Sequence, residues 1–274
     1  GGDPMLVWLL AVILASSGWA VGQNNADAII QHSVEANKRD WDAAPGFDCR
    51  EQDRVSGGTK TYEDMMILGS PYQRLVAING QPLGPAQTAA EKQKLEETIS
   101  ARKNESPEER SERIAKYEKD RRRNHQLMEQ MVKAFSFKVV GDTNLDGHKV
   151  YVLKATPRRD YRPPNMETEA LTGMEGKLWI DRASFQWVKV EAQVMHPVSI
   201  AGFLAQVEPG THFELEKQPV APDIWLPRHF AMKAHAKILF VIPHRDQEDD
   251  TYFDCHKAGP GTGSGDQRSL SGAK

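Results

Sequence analysis

The chain has 274 residues, of which 27% are charged and 39% hydrophobic, and its mean hydropathy is -0.59. This composition is too apolar for a disordered chain and too polar for a protein that crosses a membrane several times. The 35 basic and 38 acidic residues give a net charge of -3, which disfavours a general nucleic-acid binder. Two cysteines are too few for a structural zinc site or a disulfide-dense scaffold.

The N-terminal segment 1–22 is predicted to be a signal peptide. Residues 6–15 (LVWLLAVILA) are all apolar, too short a run for the roughly 20 residues of a membrane span, and small residues follow them. Cleavage is expected after Ala20 or Gly22, with the start at Met5 or upstream. We therefore expect a periplasmic or secreted protein that is at most peripheral to a membrane; the alternative is a buried helix.

The two cysteines, Cys49 and Cys255, lie in the first and the last strand that we predict. In an oxidising compartment such a pair can form a disulfide, which would tie together the two ends of the domain. The alternative is two separate buried thiols, because connectivity cannot be read from a sequence.

The first predicted element after the leader is a helix over 26–43, in which Ile30, Val34 and Trp41 recur near helical spacing. Pro45 and Gly46 end it. Three short strands are predicted next, separated by Gly-rich turns, at 47–55, 60–68 and 72–79.

Residues 85–135 form a charged helical insertion. Ser106 to Glu109 reads as a capping box with proline at the first helical position, so one helix is predicted over 86–103 and another over 107–135. In the second helix Leu127, Met131 and Phe135 form an apolar stripe that we expect to pack on the sheet. The charged segment 119–125 (KDRRRNH) is predicted to be a solvated face rather than a phosphate-binding patch.

A second series of strands is predicted at 136–141, 148–156, 175–181, 185–195, 203–208, 211–217, 224–242 and 250–256. Residues 26–257 thus form a single domain, and the Gly/Ser-rich tail 258–274 is predicted to be disordered. Because helices and strands do not alternate, a parallel sheet is disfavoured. The predicted fold class is α+β, mainly antiparallel β: a curved half-open β-barrel with the N-terminal helix and the helical insertion packed on it.

No local motif predicts an enzyme, a cofactor or a metal site. Asp142 to Gly147 imitates the start of a calcium loop, but Leu153 stands where a bidentate Glu is needed, which favours a plain turn. His229 and His235 are six residues apart on one strand, about 20 Å, too far to share a metal. The sequence contains no GxSxG motif.

Four strands are apolar on both faces: MMIL (65–68), LVAI (75–78), VYVL (150–153) and ILFVI (238–242). A sheet with one wet face alternates, so both faces are expected to be covered here. The helices cover part of this surface, and the remainder is predicted to line a cavity for an apolar ligand. The candidate lining residues are Met65, Met66, Trp179, Phe185, Trp187, Phe203, Trp225 and Met232. The alternative is that these residues form the core under the helices.

Segments 176–194 (GKLWIDRASFQWVKVEAQV), 209–240 and 69–83 (GSPYQRLVAINGQPL) resemble periplasmic outer-membrane lipoprotein-sorting proteins with the LolA/LolB-like lipoprotein carrier fold. The resemblance covers about residues 26–257. It implies a half-barrel, closed by helices, whose apolar concavity holds lipid acyl chains. The insertion at 85–135 departs from the compact carrier.

The favoured hypothesis is a non-catalytic periplasmic carrier or sensor that binds a lipid or lipoprotein acyl chain in the sheet concavity. A second hypothesis is an envelope protein-interaction or regulatory module that docks a protein partner through the charged insertion. A third is a hydrolase whose site forms only in the folded chain, because fold alone does not specify function.

Overall fold

The computed structural model describes residues 17–202, 204–239 and 242–259. Four α-helices occur in this part of the chain: α1 (Ser17–Ala43), α2 (Pro85–Lys103), α3 (Pro107–Ala134) and the short α4 (Met166–Glu169). None of the described helices is both long and apolar enough to cross a membrane.

Thirteen strands in the described residues form one sheet. In chain order they are β1 (Phe47–Val55), β2 (Gly58–Ile67), β3 (Ser70–Ile78), β4 (Gln81–Pro82), β5 (Phe135–Leu145), β6 (His148–Pro157), β7 (Met174–Asp181), β8 (Trp187–Val194), β9 (Val198–Ile200), β10 (Ala205–Val207), β11 (His212–Ala221), β12 (Ile224–Ile238) and β13 (Ile242–Lys257).

The strand order is β4-β3-β2-β1-β13-β12-β11-β8-β7-β6-β5. Two short strands lie off this path: β10 pairs with both β12 and β9. Every described strand pair is antiparallel. The end strands β4 and β5 are not paired with each other, so the sheet is not closed into a barrel. The predicted fold class, a half-open antiparallel sheet with an N-terminal helix and a helical insertion, is confirmed.

The first and last strands of the chain lie side by side in the middle of this sheet. β1 pairs with β13 over Phe47 to Asp53, and Cys49 forms a disulfide with Cys255 across the pair. This one pairing joins the β4–β1 meander to the β13–β5 part of the sheet, and the disulfide closes a loop of 206 residues over it.

The helical insertion connects the two edges of the sheet. At one edge Arg113 donates to the Leu68 carbonyl (3.1 Å) and to Ser70 Oγ (2.6 Å), and Arg102 donates to the Ile67 carbonyl (2.7 Å). Gly69 in this turn has φ +92°, and a Cβ there would lie 2.8 Å from Ile114 Cδ1, so only glycine fits. At the other edge α3 runs directly into β5.

The capping box predicted at the start of α3 is present. The Glu109 amide donates to Ser106 Oγ (3.2 Å), and the Ser106 amide donates to the Glu109 carboxylate (2.8 Å). These two bonds satisfy amides that a helix N-terminus otherwise leaves without a partner. The helix therefore begins at Pro107, as its sequence predicts.

The main core lies between the sheet and the helices α1 and α3. Its buried residues come from α1 (Ala26, Ile29, Ile30), from the end of α3 and the start of β5 (Ala134, Phe135, Phe137), and from the strands (Leu153, Leu178, Ile180, Trp187, Val190 among them). We call the sheet face that this core covers the concave face.

Several predicted elements need correction. Helix α1 begins at Ser17 rather than 26, so its first turns overlap the proposed signal peptide, whose residues 1–16 lie outside the described part. Val34 is partly exposed because it lies on the outer side of α1. The last strand begins at Ile242 instead of 250, and β9 and α4 were not predicted. Of the predicted tail, residues 260–274 lie outside the described residues.

Removing the disulfide should weaken the fold strongly. In the chain-entropy model a cross-link over so long a loop contributes about 3–5 kcal/mol. We expect the Cys49→Ser/Cys255→Ser variant to lose about that much free energy of unfolding in urea, and each single variant to lose a similar amount. An unchanged unfolding midpoint in the double variant, or in the wild type after reduction, would contradict the role given to this bond.

Candidate functional site: the concave face of the sheet

The concave face has an apolar half and an acidic half. One row of directly paired residues runs across it through Val190, Leu215, Phe230, Asp250 and Asp53. Directly opposed residues of antiparallel strands point to the same side of a sheet. Val190 belongs to the main core, so Asp250 and Asp53 face the same side of the sheet as the core. They lie at the opposite end of this row from Val190.

The apolar half is covered by the C-terminal part of α3. Met131 and Val132 of this helix lie over strands β5 to β8 and enclose a cavity of about 20 Å³. The sheet residues that line it are Phe135, Phe137, Ala155, Gly176, Leu178, Trp187, Val190, Glu191 and Ala192. Glu191 is the one ionisable residue in this lining, so the wall is almost purely apolar.

A cavity of this size holds about one water-sized group. At this position the space between α3 and the sheet is therefore filled by side chains. In this closed arrangement it leaves no room for an acyl chain.

Helix α1 is attached to the sheet through a buried polar network near its C-terminus. Asp40 and Lys217, both buried, form an ion pair. Asp40 also accepts hydrogen bonds from Gln186 Nε2 (3.0 Å) and the Trp225 amide (2.8 Å), and Lys217 donates to Asn37 Oδ1 (2.9 Å). Burial lowers the pKa of Lys217, and the neighbouring Asp40 carboxylate opposes that shift.

The N-terminal half of α1 is held differently. Ala26, Ile29 and Ile30 pack into the main core, and the Ser33 hydroxyl donates to the Ile30 carbonyl of its own helix. His32 lies against the ring of Phe185 at a centroid distance of 4.8 Å. Among the hydrogen bonds described for residues 28–40, those that reach the sheet come from Asn37 and Asp40. Over residues 26–40, helix α1 thus has a polar anchor towards its C-terminus and apolar core contacts from Ala26, Ile29 and Ile30.

Four of the predicted lining residues belong to the concave side. Trp187 is buried in the main core and lines the small cavity, and Phe185 packs against the same core. Met232 pairs with Phe213 and lies two residues from Phe230 on β12. It therefore shares the face of Phe230, which is the concave side. Met66 lies on the same face of β2 as Asp64 and Tyr62, because every second residue of a strand points to the same side. Tyr62 pairs with Glu51, so Met66 faces the concave side near the acidic half.

The other predicted lining residues do not join this wall. Trp179 and Trp225 pack with Val150 and Val188 in a second, smaller cluster. Met65 points to the face opposite Met66 because adjacent strand residues alternate. Phe203 lies outside the described residues. The eight residues therefore do not form one continuous cavity wall.

The ILFVI segment (238–242) was expected to have both faces covered, and for its described residues that expectation is wrong. Ile238, Leu239 and Ile242, where β12 ends and β13 begins, are 40%, 51% and 53% exposed, and residues 240 and 241 lie outside the described part of the chain. Leu204, 49% exposed, accepts a hydrogen bond from the Leu239 amide (3.0 Å). We call Leu204, Ile238, Leu239 and Ile242 the apolar tip. At these four positions the apolar side chains are exposed surface rather than core.

Leu239 in the apolar tip has φ +51°. A left-handed conformation costs a leucine about 1 kcal/mol, whereas asparagine or glycine adopts it readily. Stability therefore does not explain why leucine occupies this exposed position.

The charged segment 119–125 is not wholly solvated, contrary to expectation. Arg121 donates to the Trp41 carbonyl and stacks over its indole ring at 4.0 Å, and His125 stacks on the same indole with centroids 4.5 Å apart. The middle of α3 is thereby fixed to the end of α1. No periodic apolar signal accompanies these contacts, which is why sequence patterning missed them.

A wider groove of about 590 Å³ crosses strands β6, β7, β8 and β11. Its lining is largely polar and charged and includes Lys154, Glu175, Lys177, Glu191, Gln193, His212 and Glu214. Lining of this kind does not suit an acyl chain, so the apolar half remains the candidate site for one.

The sequence matches no protein-family model and no curated protein. Similar folds occur among solved structures. A domain described as an outer membrane lipoprotein-sorting protein from Vibrio parahaemolyticus is similar with a TM-score of 0.36 and 15% identity, over 86% of this chain and 93% of that one. A LolA superfamily protein from Nitrosomonas europaea is similar with a TM-score of 0.31 and 10% identity, over 86% and 94%.

MucB from Pseudomonas aeruginosa, solved in complex with MucA, is similar with a TM-score of 0.25 and 10% identity, over 86% of this chain and 100% of that one. The architecture given above rests on the strand order and register of the chain itself.

The polar anchor should be essential for holding α1 in place. Lys217→Met leaves Asp40 buried without its charge partner, which we expect to cost about 3–5 kcal/mol of the free energy of unfolding in urea. The double variant Asp40→Asn/Lys217→Met should recover part of this loss because no buried charge remains. Lys38→Met, which removes the exposed pair with Asp42, is the control and should cost at most about 1 kcal/mol. Equal small losses in both lysine variants would contradict the anchor.

Proposed function

We propose that this chain is an exported, non-catalytic binding protein that accepts a lipid or lipoprotein acyl chain on the apolar half of the concave face. The observation that carries this proposal is the apolar layer between α3 and strands β5 to β8, which encloses a residual cavity of about 20 Å³. Export is supported by the Cys49–Cys255 disulfide, a bond that persists in oxidising compartments.

Helix α1 is the element best suited to open the site. Its polar anchor at Asp40 keeps its position through directional bonds, while its apolar N-terminal half can exchange one apolar partner for another. In this proposal the helix pivots about the anchor and uncovers the part of the core cluster against which Ala26, Ile29 and Ile30 pack.

Such an exchange supports reversible binding. Each methylene that leaves water contributes about 0.8 kcal/mol. The displaced helix face gives up burial of the same kind, so much of this gain is offset. The net affinity is then set by the difference between the two apolar contacts, which suits a protein that must also release its cargo.

A carrier must reach the membrane to collect or deliver an acyl chain, and the apolar tip is the surface that suits this contact. Leu204, Ile238, Leu239 and Ile242 all expose apolar side chains, and the bond from the Leu239 amide to the Leu204 carbonyl holds the two segments side by side. Exposed apolar side chains of this kind are suited to insertion at a membrane interface.

The alternative function, docking of an envelope protein through the charged insertion, has weaker support. Arg102 and Arg113 bond the turn between β2 and β3, and Arg121 packs on α1, so these charges serve the fold. The charges of α2 pair along their own helix, as in Lys94 with Glu91. Surface pairs of this kind are typical of a solvated face.

The apolar wall can be tested with one polar substitution. Met131→Gln places an amide in the wall at nearly constant volume, and we expect it to weaken binding of a dansyl-labelled fatty acid at least tenfold. Palmitate should displace the probe from the wild type. The matched control is Met195→Gln, the same change at a half-exposed methionine, which should leave binding unaltered.

Two results would count against acyl-chain binding at this site. One is a wild-type protein that neither binds the probe nor carries lipid by native mass spectrometry after purification from a bacterial envelope. The other is equal binding by the Met131→Gln and Met195→Gln variants.

The apolar tip can be tested without harming the fold. Asparagine tolerates the φ of Leu239, so Leu239→Asn should keep or raise the melting temperature while reducing co-flotation with phosphatidylglycerol-containing vesicles severalfold. Val140→Asn, at an exposed valine on β5, is the control and should float like the wild type. Unchanged flotation of Leu239→Asn would contradict membrane contact by the tip.

A further inference from the structure

Three carboxylates meet where the first and last strands pair. Glu51 and Asp53 alternate along β1, and Asp250 lies directly opposite Asp53 on β13. One oxygen from each lies within 4.8 Å of the oxygens of the other two. The ligand atoms of a single cation with metal–oxygen distances of about 2.4 Å are separated by no more than this.

The cluster contains buried carboxylate oxygens that have no hydrogen-bond partner. They are Asp53 Oδ1 and, beside the cluster, Asp64 Oδ1. Asp250 is 7% exposed, and the side chain at hydrogen-bonding distance from its carboxylate is another acid, Glu248. A buried acceptor left without a donor is costly unless something else binds it.

Lys60, exposed and directly opposite Asp53 on β2, places one positive charge at the edge of the cluster. Gln73 donates to Glu51 (2.5 Å), and Tyr252 hydrogen-bonds the same carboxylate. His229, the next nearest base, already contacts Asp249. Burial, with repulsion from neighbouring acids, raises the pKa of Glu51 to about 8 and that of Asp250 to about 6.

We propose that Glu51, Asp53 and Asp250 bind a divalent cation, Ca²⁺ in preference to Mg²⁺, at the β1–β13 junction. All three ligands are carboxylates, and such hard oxygen donors suit Ca²⁺ or Mg²⁺ rather than zinc or copper. Ca²⁺ accepts irregular oxygen geometry, whereas Mg²⁺ requires a near-octahedral set and keeps its waters. The positions of these three carboxylates are fixed by the strands rather than arranged as an octahedron, and Asp64 lies beside them. This arrangement favours Ca²⁺, the larger of the two ions.

The cation would also stabilise the fold. Without it, the acids lie together at the strand pair that joins the two parts of the sheet, and burial with mutual repulsion raises their pKa and favours the protonated forms. A bound divalent ion converts that repulsion into attraction, at the same junction that the Cys49–Cys255 disulfide closes. This inference does not depend on acyl-chain binding.

The test is thermal unfolding of the full chain, first in EDTA and then with rising CaCl₂ or MgCl₂. A site with a Kd of about 0.1–1 mM should raise the melting temperature by about 2–9 °C at 5 mM CaCl₂, and the shift should grow with the logarithm of the calcium concentration. Equilibrium dialysis should give one bound calcium ion per chain. MgCl₂ at the same concentration should give a smaller shift.

Variants locate the site. Asp250→Asn should be at least as stable as the wild type in EDTA, because the repulsion is reduced, and should lose the calcium response. Asp53→Asn should behave in the same way. The control is Asp246→Asn, an exposed acid on the same strand, which should keep the full response.

Three results would overturn the proposal. The first is a wild type with neither a calcium-dependent shift nor bound calcium, which would leave protons as the neutralising species. The second is a full calcium response in Asp250→Asn. The third is an equal response to Mg²⁺, which would exclude the assignment to Ca²⁺.

Discussion

The pairing of β1 with β13 is the constraint on which the rest of the architecture depends. It joins the N-terminal meander to the remainder of the sheet, and it requires the chain ends to meet after some 206 residues. The Cys49–Cys255 disulfide opposes separation of the two strands, while the acids Glu51, Asp53 and Asp250 favour it. The insertion then only has to connect the two outer edges, which it does through Arg113 at one end and direct entry into β5 at the other.

The concave face has two parts of different composition. The acidic part lies at the β1–β13 junction, where the two parts of the sheet meet. The apolar part lies under α1 and α3, and it is covered by helices that the sheet does not need for its own hydrogen bonding. Asp40 and Lys217 fix one end of α1, and the proposed function requires the other end to leave the sheet while this anchor holds.

Sequence patterning predicted most of the elements because their signals are local. The alternation of Val188 to Val194 places β8, and Ser106 with Glu109 places the start of α3. Patterning failed where the cause is tertiary. The exposed residues Ile238, Leu239 and Ile242 were predicted to be covered because an apolar run does not reveal whether anything packs on it. The acidic cluster was missed because Asp250 is brought to Asp53 only by the pairing of chain ends.

The central claim is that α1 opens about its anchor to admit an acyl chain. Hydrogen–deuterium exchange of the wild type with and without palmitate tests it most directly. The account predicts faster amide exchange in residues 26–36 when palmitate is bound, with residues 37–43 and the strands β6 to β8 remaining protected. Palmitate binding that leaves the exchange of α1 unchanged, or that releases the whole helix at once, would contradict it.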